Sequence, residues 1–168
     1  MRTFTRRHSL ALLAATPFAP ATALAASVRE ITWDDLIPPG LAYPEIIDDG
    51  ELDLENDTWA PVFDENATKL NEALNGTLVK LPGFIIPLEL ETDGVTDFVL
   101  VPYVGACIHV PPPPPNQLVV VSSEKPWPSD ELWDPVWVTG LLTTQLQTTA
   151  IAQTGYAIRA EKMEIYEW

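Results

Sequence analysis

Leu78-Val79-Lys80-Leu81-Pro82-Gly83-Phe84-Ile85-Ile86-Pro87-Leu88-Glu89-Leu90 is the stretch whose reading decides the fold. Its apolar alternation is odd at Val79 and Leu81, then even at Phe84, Ile86, Leu88 and Leu90. A period of two marks a strand with one face turned to a core. The change of phase falls on Pro82-Gly83. One extra residue in a β-bulge there, or a sharp bend, flips every later side chain to the other face.

Downstream, Asp93-Gly94 is a hairpin signal, and Thr96 to Tyr103 returns as the partner strand. Leu118 to Ser122 reads as another short strand. Val136 to Thr143 alternates as a further one, and Tyr156 to Tyr166 forms the last, with its phase drifting near Glu161. Upstream, Asp64 to Leu74 reads as a short helix capped by Asp64 and ended by Asn75-Gly76. Thr144 to Thr154 reads as a second short helix, ended by Gly155. Trp33 and Leu36 are expected to dock an ordered N-terminal start. No βαβ rhythm and no internal repeat is visible. The expectation is a mainly β fold, a small antiparallel OB-fold-like barrel with one or two short helices; a sandwich of other topology fits the same periodicity.

The first residues place this domain. Arg2, Arg6 and Arg7 precede the apolar run Leu10 to Ala15, and Ala23-Leu24-Ala25 offers an A-x-A cleavage site. Residues 1–25 thus read as a secretory signal peptide, twin-arginine-like at Arg6-Arg7, served by either the Tat or the Sec route. Residues 26–168 read as a single domain, and the expected location is the periplasm. No later stretch is long and apolar enough to span a membrane. Cleavage removes three arginines and leaves six basic residues against 24 acidic ones, a net charge of −18. Such a chain repels nucleic acid, which excludes it as an expected partner. The run Glu45, Asp48, Asp49, Glu51, Asp53, Glu55 and Asp57 reads as a solvated acidic excursion, since Gly50 comes too early for an EF-hand loop.

The unusual chemistry lies in Pro102 to Gln117, PYVGACIHVPPPPPNQ. Read as an extended strand, Val104, Ala106, Ile108 and Val110 share one face and Tyr103, Gly105, Cys107 and His109 the other. Cys107 and His109 are the chain's one cysteine and its one histidine beyond the signal. They suit two ligands of a zinc or other transition-metal site completed by carboxylates, water or a second subunit, whereas four-ligand Cys/His zinc sites and blue-copper centres lack residues. The same pair is compatible with a thiolate and its base in a thiol-dependent enzyme, or with a plain structural role. Pro111, Pro112, Pro113, Pro114 and Pro115 form a stiff run that can display a docking surface together with Tyr103, Asn116 and Gln117. Trp127, Trp133 and Trp137 are candidates to line an apolar groove beside it, or to order loops by stacking on proline.

Gly105-Ala106-Cys107-Ile108-His109-Val110 with the proline run, Ile31-Thr32-Trp33-Asp34-Asp35-Leu36-Ile37-Pro38, Leu81-Pro82-Gly83-Phe84-Ile85-Ile86-Pro87-Leu88 and Asp134-Pro135-Val136-Trp137-Val138-Thr139-Gly140 together resemble a bacterial envelope family. It is the one catalogued as domain of unknown function 3299, and the resemblance covers most of the mature chain. Members are often encoded near permease-type ABC transporters, some linked to zinc supply. The resemblance therefore implies an exported accessory protein of an envelope (ABC-type) transport system, with an ABC-type permease or envelope protein as partner and zinc as the metal to expect. The competing expectation is a non-catalytic interaction module that docks through its proline run and Trp-rich loop.

Overall fold

In the computed structural model, residues 27–53, 58–89, 93–106, 112–128 and 133–167 are described. Eight strands follow one another: β1 (Arg29–Glu30), β2 (Ile46–Asp53), β3 (Thr58–Phe63), β4 (Thr77–Pro87), β5 (Val95–Val101), β6 (Val119–Trp127), β7 (Pro135–Thr148) and β8 (Gln153–Ile165). The fold is mainly β. Its helical content among the described residues is four short 3₁₀ turns, Trp33–Leu36, Glu65–Thr68, Glu72–Leu74 and Pro115–Gln117.

β4 pairs antiparallel with two different neighbours in succession. Thr77 to Phe84 lies beside β7, from Thr77↔Leu142 to Phe84↔Pro135, and Phe84 to Pro87 lies beside β5, from Phe84↔Val101 to Pro87↔Phe98. From β5 the order continues through β6 and β8 to β7, which returns to β4; β6 and β8 are parallel and the other pairs of this circuit antiparallel. β1 adds two parallel pairs at the edge of β4, and β2 with β3 forms a separate two-stranded sheet.

The expected bulge at Pro82-Gly83 is absent, since both β4 registers run without a shift. The apolar phase changes because β4 gains a second buried face. Val79, Leu81 and Ile85 all stay in one core, which takes side chains from β4, β5, β6, β7 and β8. Beyond Gly83, Phe84, Ile86 and Leu88 join a second cluster with Val99, Val101, Ala106 and Leu118, and Trp133 packs on it. Gly83 sits at the change of partner because nothing larger fits: a Cβ there would lie 2.8 Å from the Leu100 side chain and from the Val101 carbonyl oxygen, and 2.9 Å from the Trp33 ring. Each fully buried Leu, Ile or Phe of the main core stabilises the fold by about 1.5–3 kcal/mol.

The expected helix over Asp64 to Leu74 is instead two 3₁₀ turns. Asp64 does cap the first, accepting from the Asn66 N–H at 2.9 Å. Asn71 ends any continuation: its N–H donates to the Tyr156 hydroxyl at 2.6 Å and its side-chain amide to the Asp35 carbonyl at 2.8 Å, so it serves tertiary contacts in place of a helical ladder. The expected helix over Thr144 to Thr154 is strand as well. β7 runs to Thr148, a tight turn is closed by the Thr149 N–H on the Ala152 carbonyl at 2.9 Å, and β8 starts at Gln153. Threonine favours the pleated surface over the helix. The drift of phase at Glu161 is a real bulge, because Thr139 pairs with Lys162 and Gly140 with Ala160, leaving Glu161 as the extra residue.

The N-terminal turn docks as the sequence leads one to expect, with Leu36 fully buried and the Trp33 indole donating to the Pro82 carbonyl at 2.8 Å. Asp35 accepts from both the N–H and the hydroxyl of Thr32, and these bonds, the backbone one foremost, hold its carboxyl below the usual aspartate range. Tyr156, fully buried on β8, donates to the Leu36 carbonyl at 2.5 Å while accepting from Asn71. Burial pushes its phenol up to about 12. Tyr156→Phe removes both bonds and leaves the buried Leu36 carbonyl and the part-buried Asn71 N–H without these partners. Denaturant unfolding should show a loss of about 1–3 kcal/mol with an unchanged m-value.

Candidate functional site

The run from Tyr103 onward does not extend β5 as expected. β5 ends at Val101, and Pro102 to Gly105 turns, with Gly105 at φ +84° in the left-handed region that glycine tolerates. The two-face alternation therefore fails here: Val104, expected on an apolar face, is 49% exposed, while Ala106 is fully buried in the second core. Cys107, His109 and Pro111 lie outside the described residues. Among the described residues, no group of three or more His, Cys, Asp or Glu side chains is placed to hold a metal ion.

The proline run is built into the fold. Pro113 and Pro114 are buried, Pro112 and Pro115 partly so, and Pro114 holds a polyproline-like φ of −65° and ψ of 158° before the 3₁₀ turn Pro115–Gln117. Asn116 and Gln117, expected on a docking surface, are 1% and 2% exposed. The Asn116 amide donates to the carbonyls of Asn66 at 2.9 Å and Lys69 at 3.2 Å, and the Gln117 amide to the carbonyls of Trp33 and Asn116, each at 3.0 Å. These two amides tie the N-terminal turn and the loop after β3 to the strand circuit.

Each of the three tryptophans has its own packing. Trp133, with a positive φ of 74°, packs on the second core, and its N–H donates to the Ile85 carbonyl at 3.1 Å. Trp127 packs on the main core and donates from its indole to Asp134 at 3.3 Å. Trp137 meets Tyr166 edge to face at 5.2 Å and carries the Lys80 ammonium 4.6 Å over its ring.

Tyr103, Pro112 and Pro114 do share a cleft, but with partners the sequence reading left aside. Tyr43, Pro44, Glu45, Ile46 and Phe63 complete its lining, around a volume of about 380 Å³. Glu45 belongs to the acidic excursion. Of that excursion, Ile46 to Asp53 forms β2, paired antiparallel with β3, and the Trp59 indole donates to the Asp49 carbonyl at 2.6 Å. Tyr43, Ile46 and Tyr103 keep 49%, 38% and 37% of their surfaces exposed, so the cleft is an open apolar face with Glu45 in its lining. Partial burial, followed by the nearby Asp34 carboxylate, raises the Tyr43 phenol above its usual value, so at neutral pH it remains a hydrogen-bond donor.

Gln117 separates a structural from a docking role. Gln117→Leu keeps the bulk but leaves the Trp33 carbonyl without its amide, and thermal or denaturant unfolding should record a loss of about 1–3 kcal/mol.

Residues 33–165 match the family model described as "Protein of unknown function (DUF3299)". The crystal structure of a DUF3299 family protein from Pseudomonas aeruginosa PAO1 is similar, with 36% sequence identity and a TM-score of 0.64, covering 84% of this chain and 98% of that one. No curated protein matches the chain.

Proposed function

The chain belongs to the family of proteins of unknown function DUF3299, and we propose that it is an exported, periplasmic accessory protein that works by docking an envelope partner. The observation that carries this reading is the open cleft of Tyr43, Ile46, Phe63, Tyr103, Pro112 and Pro114. Aromatic and proline surfaces held rigid by a packed backbone bind extended segments at low entropic cost. Glu45 in its lining and Asp48, Asp49 and Glu51 along β2 favour a basic segment that carries apolar side chains.

We further read the strand circuit as an OB-fold-like barrel. Five strands in the order β4–β5–β6–β8–β7, with β7 paired back to β4 and β6 parallel to β8, support that architecture. Such barrels serve chiefly as binding scaffolds. A net charge of −18 after signal removal argues against nucleic acid as the cargo. An ABC-type permease subunit is the partner we infer.

Site-specific photo-crosslinking in cells tests the reading. A photoreactive residue in place of Tyr103 should trap a permease subunit, and one in place of exposed Gln145 should not; Glu45→Lys in the Tyr103-substituted protein should reduce the adduct several-fold. Equal yields at the two positions, or no adduct at Tyr103 while the protein is folded and exported, would overturn it.

A further inference from the structure

Six arginines and lysines follow the expected cleavage site, and three of them, Lys125, Arg159 and Lys162, line one cleft of about 610 Å³. It shares no residue with the cleft at Tyr103. Trp127, Ala160 and Met163 supply its apolar part, and Glu124 and Glu161 are its carboxylates.

Two irregularities open it. Between the pairs Asp97↔Ser122 and Val95↔Trp127, β5 advances two residues and β6 five, so Ser123 to Pro126 bows out of the ladder. The Ser123 hydroxyl pins this excursion, donating to the Lys125 carbonyl at 2.8 Å and accepting from the Lys125 N–H at 3.3 Å. Opposite, the bulge at Glu161 sets both Glu161 and Lys162 outward while Met163 returns to the main core. The parallel β6–β8 ladder stops at Ser123↔Ala160, where the two features begin. Past that pair, the edge of β8 facing β6 has no strand partner among the described residues. Bulges of this kind commonly re-aim side chains beside binding sites.

Lys162 is engaged by Glu164 at 2.8 Å, whereas Lys125 and Arg159 form no ion pair among the described residues. Over the whole chain acidic charge dominates, but at physiological salt its reach is about 8 Å. A short anion in this cleft meets Lys125 and Arg159, unpaired among the described residues, with Glu124 and Glu161 as the carboxylates beside them, while a long polyanion meets the acidic remainder.

We propose that this cleft binds a short acidic segment of a partner protein, laid in extended form along the free edge of β8, with its carboxylates on Lys125 and Arg159 and an intervening apolar side chain against Trp127 and Met163. Backbone pairing past Ala160 gives the segment its direction, and alternation of acidic and apolar side chains matches the two faces of an added strand.

Fluorescence anisotropy with a labelled hexapeptide of alternating glutamate and valine, and its lysine–valine counterpart, tests this on residues 26–168. The glutamate peptide should bind saturably, weaken at high salt and lose at least about tenfold in affinity to the exposed double variant Lys125→Glu/Arg159→Glu, while Tyr103→Ser leaves it unchanged. Circular dichroism confirms that the variants fold. No saturation, equal binding of the lysine peptide, indifference to the double charge reversal, or loss on Tyr103→Ser would each overturn the proposal.

Discussion

The structure depends on β4 holding two strands at once. Its first half is hydrogen bonded to β7 and its second to β5, so the five strands from β4 to β8 form a circuit of pairings. The β4–β7 pairing closes the edges that a five-stranded sheet would otherwise present, and among the described residues it leaves β8 without a partner on its β6 side past Ala160. The changeover demands close approach at Gly83, where the Trp33 ring, the Leu100 side chain and the Val101 carbonyl all crowd one Cα. Once β4 changes partner, both of its faces are covered, which explains why a single strand feeds two cores.

The segments outside the circuit are fastened to it by a few buried polar side chains. Tyr156 links β8 to the N-terminal turn and to Asn71, Gln117 links the proline segment to Trp33, and Asn116 links it to the loop after β3. Such bonds contribute modestly when made and cost more when half of one is removed, because the abandoned partner remains buried. They fix where the proline run lies. The cleft at Tyr103 follows from that placement, since Pro112 and Pro114 line it and Asn116 and Gln117 anchor the turn that succeeds them.

How much of this was legible in the residues varies with the physics involved. The main strands, the docked Trp33–Leu36 turn, the antiparallel return of β5 along β4 and the bulge at Glu161 all follow from local signals, and local signals are visible. The phase change at Pro82-Gly83 was visible too but pointed to a bulge, because a sequence registers that both faces become apolar without saying that a second layer covers them. The Asp64–Leu74 helix fails at Asn71, whose bonds run to Tyr156 and Asp35, far away in the chain. At the candidate site, Tyr103, Pro112 and Pro114 were picked out, whereas Tyr43, Ile46 and Phe63 were missed; their role depends on β2 and β3 meeting the proline segment at one cleft. Asn116 and Gln117 looked like surface amides and are internal ties. Lys125, Arg159 and Lys162 gave no local signal, and only the parallel approach of β6 and β8 brings them together.

Both clefts lie where the circuit is irregular or decorated, and both rest on its being closed. Backbone NMR of residues 26–168 tests that closure most directly, through amide exchange and interstrand NOEs along β4. The account predicts slow exchange and cross-strand contacts in both halves, Val79 with Gly140 and Lys80 with Thr139 as well as Ile85 with Leu100 and Ile86 with Val99. Contacts to only one of the two neighbours, with fast exchange in the other half of β4, would describe an open sheet and contradict it.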